Sequence, residues 1–498
     1  MISKTNQKDL LTYLEDTSNR QGAASALYIP QNQEELLAII RELSKKNIPF
    51  TASGGRTGTT GGCVPQEGAI ISLEGLKDNI QIDPEAKTAK LEAGVSLQDL
   101  EKEARKHKLT LRSLPTEPLA LAGGVASTAA SGVHGFGWGG IRNYIRAVEI
   151  FLSSGEAIHL RRGEIFSQKR VFNFKIAGRQ FDFKLPDYHL PACKSQAGYF
   201  VRDNMDLIDL FIGSEGTLGI ISSLELALQN IPFGVFDGLL FFPQEEEALQ
   251  FTERIKVGAQ NFAPLQNPAA LEFLDQNSLN LLRREYSFMP KAGGTVYFEQ
   301  EAENKEEYDA LVDKWQGLIE TSGAFLDQSI FAETAKEREK VYQIRHKLPQ
   351  LINEFLRRAK QVKAAADIAV PESNFKQMHQ YYRKVSQEAK LSYLNFGHIG
   401  ESHLHFNFLP QTNSQSQLAK SYLKELCRLA VSLGGTVSAE HGIGKLKKAY
   451  LEIMYSQDEI NQMAALKKYF DPQCLLGLDN IFSKDLLGTG PSQITPIK

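Results

Sequence analysis

Two short pieces of this chain hold four of its ten histidines and two glutamates. Residues 397–405 read Gly-His-Ile-Gly-Glu-Ser-His-Leu-His, and residues 438–447 read Ser-Ala-Glu-His-Gly-Ile-Gly-Lys-Leu-Lys. In an extended segment His403 and His405 leave the backbone on one face, because strand side chains alternate with period two. His398 stands seven residues before His405, across a glycine able to turn the chain. With Glu440 these imidazoles offer a His/His/carboxylate set, a donor type that holds a divalent metal and leaves a position open. His441 is a candidate proton acceptor, since imidazole titrates near neutrality. On these residues alone, a metal centre and a group of core histidines satisfied by hydrogen bonds weigh about equally.

A second chemistry lies upstream. In residues 49–65 the glycines Gly54, Gly55, Gly61 and Gly62 come in pairs, with Gly58 between them and hydroxyls at Ser53, Thr57, Thr59 and Thr60. Glycines allow positive φ and close ligand approach, successive N–H groups form an anion nest, and Arg56 adds charge. That set suits a diphosphate, yet it is neither a Walker A loop nor Gly-x-Gly-x-x-Gly. From Pro115 to Gly140 a run of small residues includes Gly123, Gly124, Ser127, Ser131 and Gly132, which leaves room for close-packed backbone or a large flat ligand. A third loop, residues 211–221, carries Gly213, Glu215 and Gly216 and feeds an apolar run from Ile220 and Ile221.

The elements that must position these groups alternate. Gln33 to Lys46 carries a helical apolar stripe opened by Asn32, with Glu35 three residues on. Ile48 to Ala52, Ala69 to Leu73 and Tyr144 to Leu152 read as strands, and Ser96 with Asp99 opens a helix through about Lys108. From about Gly234 the pattern becomes strand (Asp237 to Phe242), helix (Glu245 to Val257), strand (Gly294 to Phe298), helix (Lys305 to Thr321). It predicts an antiparallel sheet covered on one face by helices. Thr334 to Lys360 reads as one long helix or two, with Pro349 as the break. The fold class expected is α+β.

Composition bounds the function. The chain has 498 residues, 42% hydrophobic and 23% charged, and 56 Lys+Arg stand against 59 Asp+Glu. The near balance speaks against a dedicated nucleic-acid binder. Four cysteines, none in a Cys-x-x-Cys pair, are too sparse for a disulfide scaffold, a thiolate zinc or an iron–sulfur cluster, and fit a reducing compartment. The N-terminus shows no secretory signal and no run is long enough to span a membrane, so a cytoplasmic protein is expected. Residues 161–194 hold eight Lys/Arg against three acids. They form a hairpin pattern that is either a solvated surface or a docking face for an acidic partner or the inner face of a membrane.

The three glycine loops, in their order and spacing, resemble the FAD-binding domain of the vanillyl-alcohol oxidase / PCMH-type flavoproteins. Residues 20–483 resemble its D-lactate dehydrogenase / glycolate oxidase subunit / D-2-hydroxyglutarate dehydrogenase branch. The resemblance implies a two-subdomain PCMH-type FAD-binding domain at 1–232, with the basic hairpin as an insertion. It further implies an antiparallel-sheet cap domain at 233–450, a segment at 451–486 returning to the FAD domain, and a flexible tail at 487–498. Ser53 to Thr57 and Thr59 to Gly62 would wrap the diphosphate. Pro115, Gly123, Gly124, Ser127, Ser131 and Gly132 would line the isoalloxazine and ribityl side, and Glu215, Gly216, Ile220 and Ile221 the adenosine half. FAD would be held noncovalently, although His134 lies in the second loop.

The branch's motifs Gly-His-x-Gly-Asp-Gly-Asn-x-His and Ser-Gly-Glu-His-Gly-x-Gly match the two histidine pieces. By that match His398, His405 and Glu440 ligate a divalent metal (Zn, Mn or Fe), and His441 is the catalytic base. Arg345 holds a substrate carboxylate. Glu401, Ser402 and His403 depart from the motif's Asp, Gly and Asn, and Ala365 stands where the branch has a lysine. His403 therefore joins the candidate catalytic residues. The expected activity is oxidation of a 2-hydroxy acid, of D configuration, with electrons leaving to a quinone, a flavoprotein or a partner subunit, since no nicotinamide motif is present. The competing readings are an alkylglycerone-phosphate-synthase-like FAD enzyme and a non-catalytic FAD-binding subunit.

Overall fold

A computed structural model describes residues 2–176, 178–261 and 267–488. Most of the tail expected to be flexible, from residue 489 onward, lies outside the described residues. The first sheet has the strand order Ile2–Lys4, Ala26–Ile29, Ala69–Ser72, Phe50–Ser53, with the last three strands parallel and the first antiparallel to its neighbour. Parallel neighbours need a crossover, and helix Gln33–Lys45 supplies one. Its N-cap is Asn32, whose side chain accepts from Glu35 N at 2.9 Å, and Leu36, Ile39, Ile40 and Leu43 form its buried stripe. Strand Phe50–Ser53 runs directly into the first glycine loop.

A second, five-stranded antiparallel sheet is ordered Ile80–Asp83, Thr88–Glu92, Ile220–Ala227, Ile145–Phe151, Ala157–Arg161. Its central strand, Ile220–Ala227, is the one the third glycine loop feeds. The C-terminal segment returns to the first sheet. Phe50 N donates to Leu475 O at 2.8 Å, Gly477 N donates to Phe50 O at 3.0 Å, and Leu475 and Leu476 join the core beneath Ile39.

The third sheet has seven antiparallel strands, ordered Ile330–Ala332, Gly234–Phe242, Gly294–Ala302, Ala270–Asp275, Tyr393–Gly397, His403–Phe408, Ala364–Ala369. Helices cover both of its faces, not one. Leu240 and Phe242 pack with Phe251 and Trp315, while Leu239 and Phe241 pack with Ile344, Leu348 and Ile352 on the opposite side. The apolar run Leu239 to Phe242 at the end of strand Gly234–Phe242 is the sequence sign of burial on both sides. Helix Ala335–Arg358 crosses the second face without a break at Pro349. A proline there removes the backbone bond to the Arg345 carbonyl. The stripe Val341, Ile344, Leu348, Ile352 and Leu356 is buried on both sides of it and holds the helix together.

The basic segment is compensated internally. Val171–Ile176 and Arg179–Lys184 form the expected hairpin, and Phe181 and Phe183 stack against Tyr469 and Phe470. Six of the eight basic residues, Arg161, Arg162, Arg170, Arg179, Lys184 and Lys194, form ion pairs with carboxylates. All four cysteines are free. Among the described residues no helix is long and apolar enough to cross a membrane.

Candidate active site

The edge of the seven-stranded sheet builds the site as a ladder. Strand His403–Phe408 pairs with Ala364–Ala369 so that His403 faces Ala369, His405 faces Asp367 and Asn407 faces Ala365. With a side-chain period of two, all six residues share one face. Gly397, at φ 135°, ends the neighbouring strand in a conformation other residues rarely adopt, and releases His398 toward that face. Asp367 also bridges Ser438 on the loop that carries Glu440 and His441.

The two histidine pieces converge on Glu440. Its Oε1 lies 3.1 Å from His398 Nε2, 3.3 Å from His405 Nε2 and 3.8 Å from His441 Nε2. Ligands about 2.1 Å from a tetrahedral ion stand about 3.4 Å apart, so the first two separations suit a shared cation. The other nitrogen of His398 meets Glu272 at 2.5 Å, the carboxylate–histidine arrangement that orients a metal ligand. Glu272 also pairs with Arg345. Burial would raise the Glu272 carboxyl, but Arg345 and His398 outweigh it and hold the group well below the usual range. Burial opposes the charge on Glu440 as well; His398 and Lys194 overcome it and keep the group ionised. Burial lowers His398, and the carboxylates of Glu440 and Glu272 outweigh that and lift it to about 9.

Asp367 is the second hub. Its Oδ1 lies 2.7 Å from His403 Nε2. Its Oδ2 accepts from Lys447 Nζ at 2.8 Å, Ser438 Oγ at 3.0 Å and the His441 backbone N at 3.0 Å, and lies 3.2 Å from His441 Nδ1. Burial depresses His441 below its ordinary value, and Asp367 only partly restores it. Glu215 supports the same loop from beneath, accepting from Ile443 N at 2.7 Å and Gly444 N at 2.6 Å. Burial pushes its carboxyl up to about 7.

The residues that depart from the branch motif each have a partner. Glu401 accepts from Lys194 at 2.7 Å, and the same ammonium reaches Glu440 at 2.9 Å. Ser402 takes the φ of 54° natural to the motif's glycine. Its hydroxyl contacts Lys256 at 3.1 Å and also bonds Glu372, holding the strained residue in place. His403 pairs with Asp367. Sequence reasoning missed Glu272, Lys194, Lys447, Lys363 and Asp367 as site residues. Lys194 was visible only as part of a basic run. Lys363 carried a signal, since it lies two residues before Ala365 and so shares its strand face.

A cavity of about 560 Å³ joins the ladder to the glycine loops. Every cofactor residue expected from the sequence lines it except Gly61 and Gly132, and so do Arg345, His398, His405, Glu440 and His441. His403 lies behind the wall. Gly132 is required by packing, since a Cβ there would stand 2.2 Å from Leu114 O. Gly124, Gly62 and Gly216 have open space where a Cβ would be, as a ligand-bearing wall requires. The Ser53 hydroxyl is buried in that wall with no partner among the described residues, so the cradle fits a bound phosphate chain. His134 does not line the cavity. It contacts Arg112 O at 3.0 Å and Glu299 at 2.9 Å. Lys363 lines the cavity without a hydrogen bond or ion pair among the described residues.

Comparison with known proteins agrees with this architecture. Residues 24–161 match the FAD binding domain family, and residues 238–477 match the family described as FAD linked oxidases, C-terminal domain. The chain belongs to the FAD-linked oxidases. Relatives span nearly its whole length. The glycolate oxidase subunit GlcD of Bacillus subtilis is 26% identical, covering 97% of this chain and 94% of its own. A D-lactate dehydrogenase of Archaeoglobus fulgidus is 27% identical over 91% and 90%, and a D-2-hydroxyglutarate dehydrogenase of Xanthomonas citri 25% over 96% and 94%. A solved alkyldihydroxyacetonephosphate synthase shares the fold, with a TM-score of 0.67 at 15% identity over 95% of this chain and 81% of its own. This FAD-linked oxidase is thus an oxidoreductase of the D-lactate, glycolate and D-2-hydroxyglutarate dehydrogenase branch.

Proposed function

We propose that this chain oxidises a 2-hydroxy acid of D configuration to the 2-oxo acid and passes the electrons to a quinone, a flavoprotein or a partner subunit. The observation that carries the reading is one cavity with a glycine cradle on one wall and Arg345, His398, His405, Glu440 and His441 on the other. Noncovalent FAD, held by Ser53 to Thr57, Thr59 to Gly62 and the loops at Pro115 to Ser131 and Glu215 to Ile221, supplies the acceptor for the Cα hydrogen and its two electrons. A divalent ion, held by His398, His405 and Glu440, supplies Lewis acidity.

The chain's own residues do the rest. Arg345 and the unpaired Lys363 hold the substrate's carboxylate groups, with Arg345 fixed in place by Glu272. Ala365, where the branch has a lysine, opens space between Lys363 and Asp367, so the substrate's anionic end meets a cation one pleat further from the reacting end. His441 Nε2 accepts the hydroxyl proton, while Asp367 fixes the opposite nitrogen and so selects the tautomer with a free Nε2 lone pair. The buried walls keep water away from the reacting carbon. Anaerobic mixing with a panel of D- and L-2-hydroxy acids tests the reading. Bleaching of the flavin's visible band by a D acid, with the 2-oxo acid recovered, supports it. A flavin that no hydroxy acid reduces refutes it and favours a non-catalytic subunit.

A further inference from the structure

We propose that His403 is a fourth protein ligand to the ion held by His398, His405 and Glu440. The proposal rests on the metal reading above and departs from the branch motif, which carries asparagine at this position. His403 is fully buried, on the same sheet face as His405. Its Nε2 is 2.7 Å from Asp367 Oδ1. A carboxylate only accepts, so the imidazole hydrogen sits on Nε2 and Nδ1 is left as a bare lone pair. That Nδ1 is buried and has no partner among the described residues.

A buried acceptor stripped of water and given no partner is destabilising, so an unused lone pair here needs a reason. The surroundings supply one. Ligand-capable atoms of His398, His403 and Glu440 lie within 4.8 Å of one another. The His403 ring centroid is 5.2 Å from that of His398 and 4.6 Å from that of His405. Asp367 stands behind His403 as Glu272 stands behind His398, each carboxylate fixing the tautomer and aim of an imidazole. The motif's asparagine would offer a neutral carboxamide oxygen here; histidine offers a stronger nitrogen donor.

Four protein ligands complete a tetrahedron. An ion held by these four residues would take a substrate oxygen only by expanding its coordination to five. The ion is correspondingly harder to remove.

The test compares the FAD-loaded wild-type protein with His403→Asn, both reconstituted with Zn2+ and, separately, with Co2+. X-ray absorption counts imidazoles on the ion, and competition with a chelator measures its affinity. Three imidazoles in wild type and two in the variant are expected, with the variant holding Zn2+ at least about 10²-fold more weakly. The visible bands of the Co2+ form should shift, while flavin content stays the same. Two imidazoles in the wild type overturn the proposal without recourse to the variant, as does unchanged chelator release when His403→Asn folds. A wild-type protein that binds neither ion overturns the metal reading itself, and this proposal with it.

Discussion

Replacing His441 tests the proton-transfer step most directly. The ring lines the cavity, its Nδ1 is held by Asp367 at 3.2 Å, and Nε2 is the nitrogen left for substrate. His441→Asn keeps a hydrogen-bonding group but cannot take a proton. Losing a general base costs about 10²–10⁴-fold in rate, or about 3–5 kcal/mol of barrier. The base must be unprotonated, so activity is lost as pH falls through its folded pKa. Burial places that pKa below the ordinary imidazole value of about 6.5, and Asp367 restores it only in part. A cation on Glu440 would push the same way. The acid limb of kcat/KM should therefore have its midpoint below about 6.5. Stopped-flow flavin reduction across pH 4.5–8.5 (about two units either side of the ordinary value) measures both quantities. His441→Asn and His441→Ala should be slow, should lack the limb and should keep their flavin. Reduction by His441→Asn at close to the wild-type rate would refute the base assignment and leave His441 as a positioning group.

Asp367→Asn should cut flavin reduction by up to about 10⁴-fold, because an amide can select the wrong His441 tautomer, and should lower Tm by leaving Lys447 buried without its carboxylate; a fully active, equally stable variant would contradict the hub role. Lys363→Met should raise KM for 2-hydroxy diacids about tenfold or more while changing kcat and the KM for D-lactate little; equal effects on mono- and diacids would exclude a distal contact. Acid precipitation should leave a colourless pellet, and a yellow one would show a covalent flavin. His134 is lifted to about 9, burial being outweighed by Glu299. Its ion pair therefore stabilises the fold fully below about pH 6.5, and that stability is lost as pH rises toward 9, by at most about 3 kcal/mol. Thermal unfolding of His134→Gln should show a flatter Tm between those values, and identical pH profiles would remove the pair from the account.

The sequence by itself determined what is local. Asn32, Ser96 and the apolar stripe of Gln33–Lys45 specify helix starts and buried faces within a few residues, and each cap is present. The glycine loops could be read because positive φ and an absent Cβ are demands that one residue type meets. The His398–His405 and Glu440–His441 pieces were legible because their donors lie close together in the chain. Tertiary structure decided everything that depended on distant partners. Glu272 stands 126 residues from His398 and Lys194 stands 246 from Glu440, and no spacing rule connects them. Asp367 became a hub through pairing with the strand of His403 and His405 and through the bridge to Ser438. Pro349 read as a break because local backbone chemistry disfavours it, and the helix persists because its buried stripe outweighs one lost hydrogen bond. Five charges of the basic segment found carboxylates elsewhere in the chain, and a sixth, Lys184, pairs with Asp187 within it. Composition shows only how many charges a segment has, while the fold sets which of them meet.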